Sequence, residues 1–183
     1  MRVLITGHDG YIGTVMVPVL RAAGHEVVGV DTYFYSDDPY EAMRNGFLNL
    51  DKDIRDFVPE DFEGFDAVVH LAALSNDPLG ELDPELTHEI NHHASLHMAR
   101  LAKEAGVERF LFASTCSVYG VANQEELATE ESPLRPLSAY AVSKVRVEED
   151  LAKLADDHFS PVSLRNATAY GWSPRFRADL VLN

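Results

Sequence analysis

The sequence predicts an α/β fold built on a doubly wound parallel sheet. Three observations predict it. The chain opens with a strand, a glycine turn and a helix; its second strand ends in an acidic residue; and apolar runs go on alternating with helical segments as far as residue 165. Parallel neighbours need a crossover connection, so repeated strand–helix alternation stacks the strands in one sheet with helices on both faces.

Arg2-Val-Leu-Ile-Thr6 is a short β-branched run of the kind that forms a buried strand. Gly7-His-Asp-Gly10-Tyr-Ile-Gly13 closes it, and Thr14 to Ala23 follows with helical periodicity. The first glycine permits the tight turn, the second lets backbone N–H groups approach a pyrophosphate, and the third lets the helix pack close to the strand. A second strand, Glu26-Val-Val-Gly-Val30, leads to Asp31 at the spacing of about 20 residues where a carboxylate accepts bonds from ribose hydroxyls. A carboxylate there repels a 2′-phosphate, which favours NAD over NADP. Asp9 adds negative charge to the phosphate turn, and capping of the following helix is an alternative use for it.

The stretch from Tyr33 to Leu50 mixes aromatic and acidic residues and suits a loop, a short helix and an edge strand. Asp66 to Leu71 then reads as a central strand, Glu85 to Ala105 as a long helix, and Glu108 to Ala113 as the next strand. Ser138 to Asp157 is expected as a helix and Ser160 to Arg165 as a strand. Residues 1–172 are therefore expected to form one Rossmann-type dinucleotide-binding domain that also carries the chemistry. Residues 173–183 read as the start of a substrate-binding region whose remainder is missing or truncated.

With 183 residues and 46% apolar content, one domain with a substantial core is expected. A net charge of −15 without a Lys/Arg cluster argues against nucleic-acid binding. No apolar run reaches the 18 or so residues of a membrane span, and the chain starts directly on its first strand. A cytoplasmic setting is the expectation. The single Cys116 cannot form an internal disulfide, which agrees with a reducing compartment.

Tyr140-Ala-Val-Ser-Lys144 carries the chemistry. Residues at i and i+4 share a helix face, so a helix opened by Pro136 and Ser138 presents a phenol and an ammonium to the same space. A free phenol titrates near pH 10, and bringing it to about 7 takes roughly 4 kcal/mol in favour of the phenolate. A close ammonium in a water-poor cleft supplies that. The same spacing also suits a solvated helix face, and only the dinucleotide turn upstream favours catalysis. His88-Glu-Ile-Asn-His92 competes as an H-E-x-x-H zinc motif. It falls on a crossover helix of a dinucleotide fold, outside the context that motif needs, so no metal is expected.

These pieces resemble the extended short-chain dehydrogenase/reductases, and within them the NAD-dependent epimerase/dehydratase family acting on nucleotide sugars. The resemblance runs through Thr6 to Gly13, Asp31, Asp53-Ile-Arg55, His70-Leu-Ala-Ala73, Asn91, Ser114-Thr-Cys-Ser-Val-Tyr-Gly120, Tyr140-x-x-x-Lys144 and Arg165 to Gly171. It implies NAD as cofactor, with Gly7, Gly10 and Gly13 and the backbone of Tyr11 and Ile12 along the pyrophosphate. It places Asp31 on the adenosine ribose, Asp53 and Ile54 around the adenine, and Leu71, Ala72 and Ala73 beside the cofactor. An Asp53 that simply caps a helix is the plain alternative. Thr115 is implied to orient the reacting oxygen, Tyr140 to act as base, and Lys144 to lower the Tyr140 pKa while bonding the nicotinamide ribose. Asn91 would hold a backbone bend or a water near Lys144, and an exposed Asn fits as well.

Departures narrow the reaction. Dehydratases of this family follow the Thr with Asp and Glu, where this chain has Cys116 and Ser117, so an epimerase is expected. Keto-sugar reductase and sugar-acid decarboxylase are the near alternatives, and a non-catalytic dinucleotide sensor is the alternative of another class. Cys116 is expected as a small buried thiol. Tyr119 is expected to pack or to edge the cofactor. Thr168 stands where relatives carry Asn. With Ser75, Thr115, Arg175 and Arg177 it completes the candidate contacts to a nucleotide-sugar substrate. The two long helices are expected to pair across a homodimer, as the resemblance implies.

Overall fold

The computed structural model describes residues 1–34, 46–75, 77–121, 127–175 and 177. Six strands, β1 (Arg2–Thr6), β2 (Glu26–Asp31), β3 (Leu48–Asp51), β4 (Ala67–His70), β5 (Arg109–Thr115) and β6 (Ser160–Asn166), form one sheet. All five neighbouring pairs are parallel and the order is β3-β2-β1-β4-β5-β6. The chain winds outward from β1 to β3, then returns across the sheet to β4. That reversal leaves a crevice at the carboxyl ends of β1 and β4, where open α/β sheets bind ligands.

Alternate residues of each central strand point to opposite faces, and both faces are covered. On one side Leu4, Val28, Val68, Phe110 and Phe112 pack with Met98, Val147 and Leu151. On the other, Val3, Ile5, Val27, Ala67 and Val69 pack against Val17. Burial on both faces explains why these strands read as unbroken apolar runs. β6 is different: as an edge strand it leaves Val162 and Leu164 exposed.

The helices are α1 (Gly13–Ala22), α2 (Asp77–Leu82), α3 (Pro84–His88), α4 (Ser95–Glu104) and α5 (Ala139–Leu154). The single helix expected over Glu85 to Ala105 departs from regularity. A π-helical turn at Glu89–Ala94 joins α3 to α4. Its cause lies in Asn91, which is fully buried and grips the backbone of Leu74 from both sides: Leu74 N donates to Oδ1 at 2.8 Å and Nδ2 donates to Leu74 O at 3.0 Å. Such bulges gather at functional sites. The edge strand expected within residues 33–50 is β3, while residues 35–45 of that stretch lie outside the described residues. Among the described residues, no helix is long and apolar enough to cross a membrane.

Candidate active site

The glycine turn sits at the carboxyl end of β1, tied to β2 by Gly7 N donating to Val30 O at 2.9 Å. Gly7 has φ 71°, and a Cβ there would fall 2.7 Å from Ala72 N. A Cβ on Gly13 would overlap the Gly7 carbonyl and the His8 backbone. Side chains are thus excluded where backbone must come close, and α1 starts at Gly13 with its N-terminus turned to this turn. That arrangement is a cradle for an anionic diphosphate. Leu71, Ala72 and Ala73 lie half-buried just past β4, next to Gly7. At the end of β2, the Asp31 carboxylate accepts from Asp9 N at 3.0 Å and Tyr33 N at 3.2 Å, which fixes it beside the turn.

Asp9 does not cap α1. Its side chain is buried and forms an ion pair with Arg175, whose Nε also donates to Asp9 O at 2.7 Å. The awkward charge in the turn therefore has a counter-charge 166 residues away. The same segment is laced to the turn elsewhere: Tyr11 OH donates to Gly171 O at 2.7 Å and Ser173 Oγ donates to Tyr11 O at 2.8 Å. Arg177 donates to Ser75 Oγ at 3.1 Å, while Thr168 is exposed beyond β6. Residues 173–175 and 177 thus lie against the dinucleotide turn and the β4 end, and residues 176 and 178–183 are outside the described ones. Asp53 caps the 3₁₀ turn Ile54–Asp56 and is held below the usual carboxylate range by its hydrogen bonds to Arg55. Ile54 is buried in the main core.

Tyr140 and Lys144 occupy successive turns at the start of α5. Ser138 caps that helix by accepting from Ala141 N at 3.1 Å, and Glu81 accepts from Ala139 N at 2.8 Å. Lys144 is fully buried; its Nζ sits 5.5 Å from the Tyr140 ring centroid and donates to Ala113 O at 2.8 Å. Burial pushes the ammonium down to about 7, against an upward pull from Glu148. Ala113 is two residues before Thr115, which ends β5 and is itself buried. Thr115 Oγ1 accepts from Ser117 N at 3.1 Å, capping the 3₁₀ turn Cys116–Tyr119. Lys144 thus bridges the helix that carries Tyr140 to the strand that ends in Thr115.

Cys116 corrects the sequence reading: it is exposed, not buried. The chain turns sharply after β5, so Thr115 and Val118 take the inward positions and Cys116 is left facing out. Tyr119 is half-buried and accepts from Arg165 Nη1 at 2.9 Å.

Ser95 and Glu148 escaped the sequence reading, which named His70 only as part of a motif and gave it no role. His70 bridges Thr6 Oγ1 and Ser95 Oγ, both at 2.7 Å, at the heart of the sheet edge. Burial first, then the charge of Lys144, push its imidazole down to about 3. Ser95 in turn donates to Asn91 O at 2.8 Å. Glu148, one turn past Lys144, was legible only as a continuation of the i, i+4 spacing.

The H-E-x-x-H side chains diverge to three partners. His92 Nε2 meets Asp150 at 2.8 Å, Glu89 pairs with Arg55 at 3.1 Å, and His88 Nδ1 lies 3.5 Å from Arg146. Among the described residues no group of three metal-ligating side chains is placed to hold an ion. His93 and His97 are exposed.

The model of the NAD dependent epimerase/dehydratase family matches residues 3–181. The chain is 32% identical over 163 residues to UDP-glucose 4-epimerase of Streptomyces lividans, covering 86% of this chain and 48% of that protein. It is 32% identical over 154 residues to UDP-glucuronic acid decarboxylase 1 of Xenopus tropicalis, covering 82% of this chain and 36% of that one. The structure of Thermus thermophilus UDP-glucose 4-epimerase in complex with NAD superposes with a TM-score of 0.79 at 33% identity, over 90% of this chain and 54% of the other. The chain spans about half the length of the relatives it matches.

Proposed function

The chain belongs to the NAD dependent epimerase/dehydratase family, and on that premise we propose that it carries the cofactor domain and reacting groups of an NAD-dependent nucleotide-sugar epimerase. The observation that carries this reading is the buried Lys144, held between the Tyr140 ring and the carbonyl of Ala113 beside Thr115. A desolvated ammonium at that distance favours the phenolate of Tyr140.

Gly7, Gly10 and Gly13, with the backbone of Tyr11 and Ile12, would hold the pyrophosphate of NAD, and Asp31 the adenosine ribose. Leu71, Ala72 and Ala73 leave space beside it. The cap and core positions of Asp53 and Ile54 support their role at the adenine least. When bound, NAD supplies the oxidant that turns a sugar carbinol into a keto sugar and the reductant that restores it on the other face. Tyr140 takes the hydroxyl proton in the first half and returns it in the second. Thr115 holds the oxygen within reach of Tyr140. The cationic form of Lys144 would stabilise the phenolate, and Phe112 and Ala113 keep water from its head.

Cys116 and Ser117 offer no carboxylate for eliminating water, which sets the reading apart from a dehydratase. The similarity to a sugar-acid decarboxylase favours one second reading, in which the same oxidation precedes loss of carbon dioxide. Residues 173–183 as the start of a substrate region, the substrate contacts of Ser75, Thr168, Arg175 and Arg177, a homodimer through the helices at 84–104 and 139–154, and a cytoplasmic setting belong to the same proposal. Sedimentation of the intact protein tests the dimer.

The deciding experiment incubates the intact protein with NAD and a panel of UDP- and dTDP-sugars and identifies products by NMR. Interconversion of C4 epimers is expected, and Tyr140→Phe should slow it by at least about 100-fold. Conversion of a UDP-uronic acid to a UDP-pentose with loss of carbon dioxide selects the decarboxylase, and NAD binding without turnover of any sugar selects the sensor.

A further inference from the structure

Tyr140, Lys144 and Glu148 lie at i, i+4 and i+8 on α5 and so share one face. The proposed chemistry uses the first two. Glu148 is where two strands, β5 and β6, converge on that face. Ser114 Oγ donates to Glu148 Oε1, and Arg165 on β6 grips both carboxylate oxygens, with Nη2 to Oε2 at 2.7 Å and Nε to Oε1 at 3.2 Å. Arg165 then reaches Tyr119 OH and Glu130 O, each at 2.9 Å.

The sequence on β5 gives this arrangement its meaning. Ala113 accepts from Lys144, Ser114 donates to Glu148, and the next residue is Thr115. Successive turns of α5 are therefore stitched to successive residues of the strand that ends in Thr115. The Glu148 side chain is only 9% exposed and Arg165 20%, so their bidentate pair is poorly screened by water.

The geometry points to Glu148 as a positioning residue that ties the Thr115 strand end to the Tyr140–Lys144 helix face and supplies negative potential beneath Lys144. This rests on the proposed function of that face. The charged and titratable groups around Lys144 are Tyr140 and Glu148 on its own helix, His70 from β4, and Arg165 and Tyr119 acting through Glu148. His70 stays neutral above about pH 5, so Glu148 with its Arg165 counter-charge is the group that sets the local field.

The test titrates Lys144 directly. The intact protein is labelled with lysine ¹³C at Cε, the Lys144 signal is assigned by its loss in Lys144→Met, and its pH dependence is followed by NMR. In Glu148→Gln, which keeps size and an acceptor for Ser114, the Lys144 midpoint should fall by about one pH unit. The alkaline limb of kcat should move down by the same amount, with KM within about twofold. A structural residue lowers kcat at every pH and leaves both midpoints alone. An unmoved Lys144 midpoint overturns the inference whether or not the protein turns over a sugar. Absence of turnover by wild type overturns the proposed function alone. Should Glu148→Gln fail to fold, Arg165→Gln decides: removing the counter-charge must move the midpoint upward, and no movement or a fall overturns the inference.

Discussion

The Lys144 ammonium donates a 2.8 Å hydrogen bond to the carbonyl of Ala113, two residues ahead of Thr115. A buried cation thus joins the helix bearing Tyr140 to the strand bearing Thr115, and it does so at an energetic cost. Its pKa falls from the ordinary 10.5 to about 7, chiefly through burial. The unfolded chain therefore binds this proton more tightly than the fold does. Burial costs nothing above about pH 10.5, costs progressively more as pH falls, and reaches its full value, at most roughly 5 kcal/mol, below about pH 7. Lys144→Met should raise the melting temperature near pH 6.5 and lose that advantage towards about pH 10.5. An advantage that does not vary with pH would show that the ammonium is hydrated in the fold.

His70 has the same sign of shift but lies in a different pH window. Its folded pKa of about 3 is below the ordinary 6.5, so its neutral, doubly hydrogen-bonded form contributes stability above pH 6.5. That contribution drains away as pH falls towards about 3, by up to roughly 5 kcal/mol. Urea denaturation at about pH 7, 5 and 4 should show a steep loss for wild type. His70→Gln should be weaker near pH 7 yet flatter below it. Parallel curves for the two proteins would exclude His70 as the acid-sensitive group.

How much of this was legible in the sequence follows from the range over which each signal acts. The glycine turn, Asp31 and the Tyr140–Lys144 pair were readable because each depends on local spacing within one turn or one crossover. So was the parallel, doubly wound sheet, through the repeated alternation. The partner of Asp9 was not readable, since Arg175 meets it only after the chain has crossed the whole sheet. Cys116 was misread because a residue's side depends on where the strand ends, and β5 runs on to Thr115, which puts Cys116 at the start of the turn that follows. The π turn around Asn91 was invisible to helical periodicity for a related reason. It is imposed by a tertiary contact with Leu74, which no heptad or 3.6-residue pattern encodes.

Asn91 offers a test of that contact. Both its amide groups are used on Leu74, in the loop that follows β4 beside the cofactor cradle. Asn91→Ala leaves the part-buried N–H and carbonyl of Leu74 without these bonds, a cost of up to about 3 kcal/mol. Hydrogen exchange of the Leu74 amide should accelerate at least about tenfold, with β5 amides following only the global change. Equal protection of Leu74 in both proteins would mean the loop is held by something else.

The Asp9–Arg175 pair makes the cofactor turn dependent on a distant residue. Both side chains are buried, so removing one leaves an uncompensated charge, typically worth about 3–5 kcal/mol. Arg175→Met should therefore lower stability by about 3 kcal/mol. It should also weaken NAD binding at least about tenfold, because the Asp9 carboxylate then faces the pyrophosphate without the Arg175 counter-charge. Asp9→Asn alone strands Arg175 instead, whose positive charge tolerates the diphosphate, so its NAD affinity should fall less. In the double variant Asp9→Asn/Arg175→Met neither charge of the pair remains, and both stability and NAD affinity should recover to within about 1 kcal/mol of wild type. Calorimetric titration with NAD and thermal unfolding of the four proteins close the cycle. Additive losses in the double variant would show that Arg175 acts on the cofactor independently of Asp9.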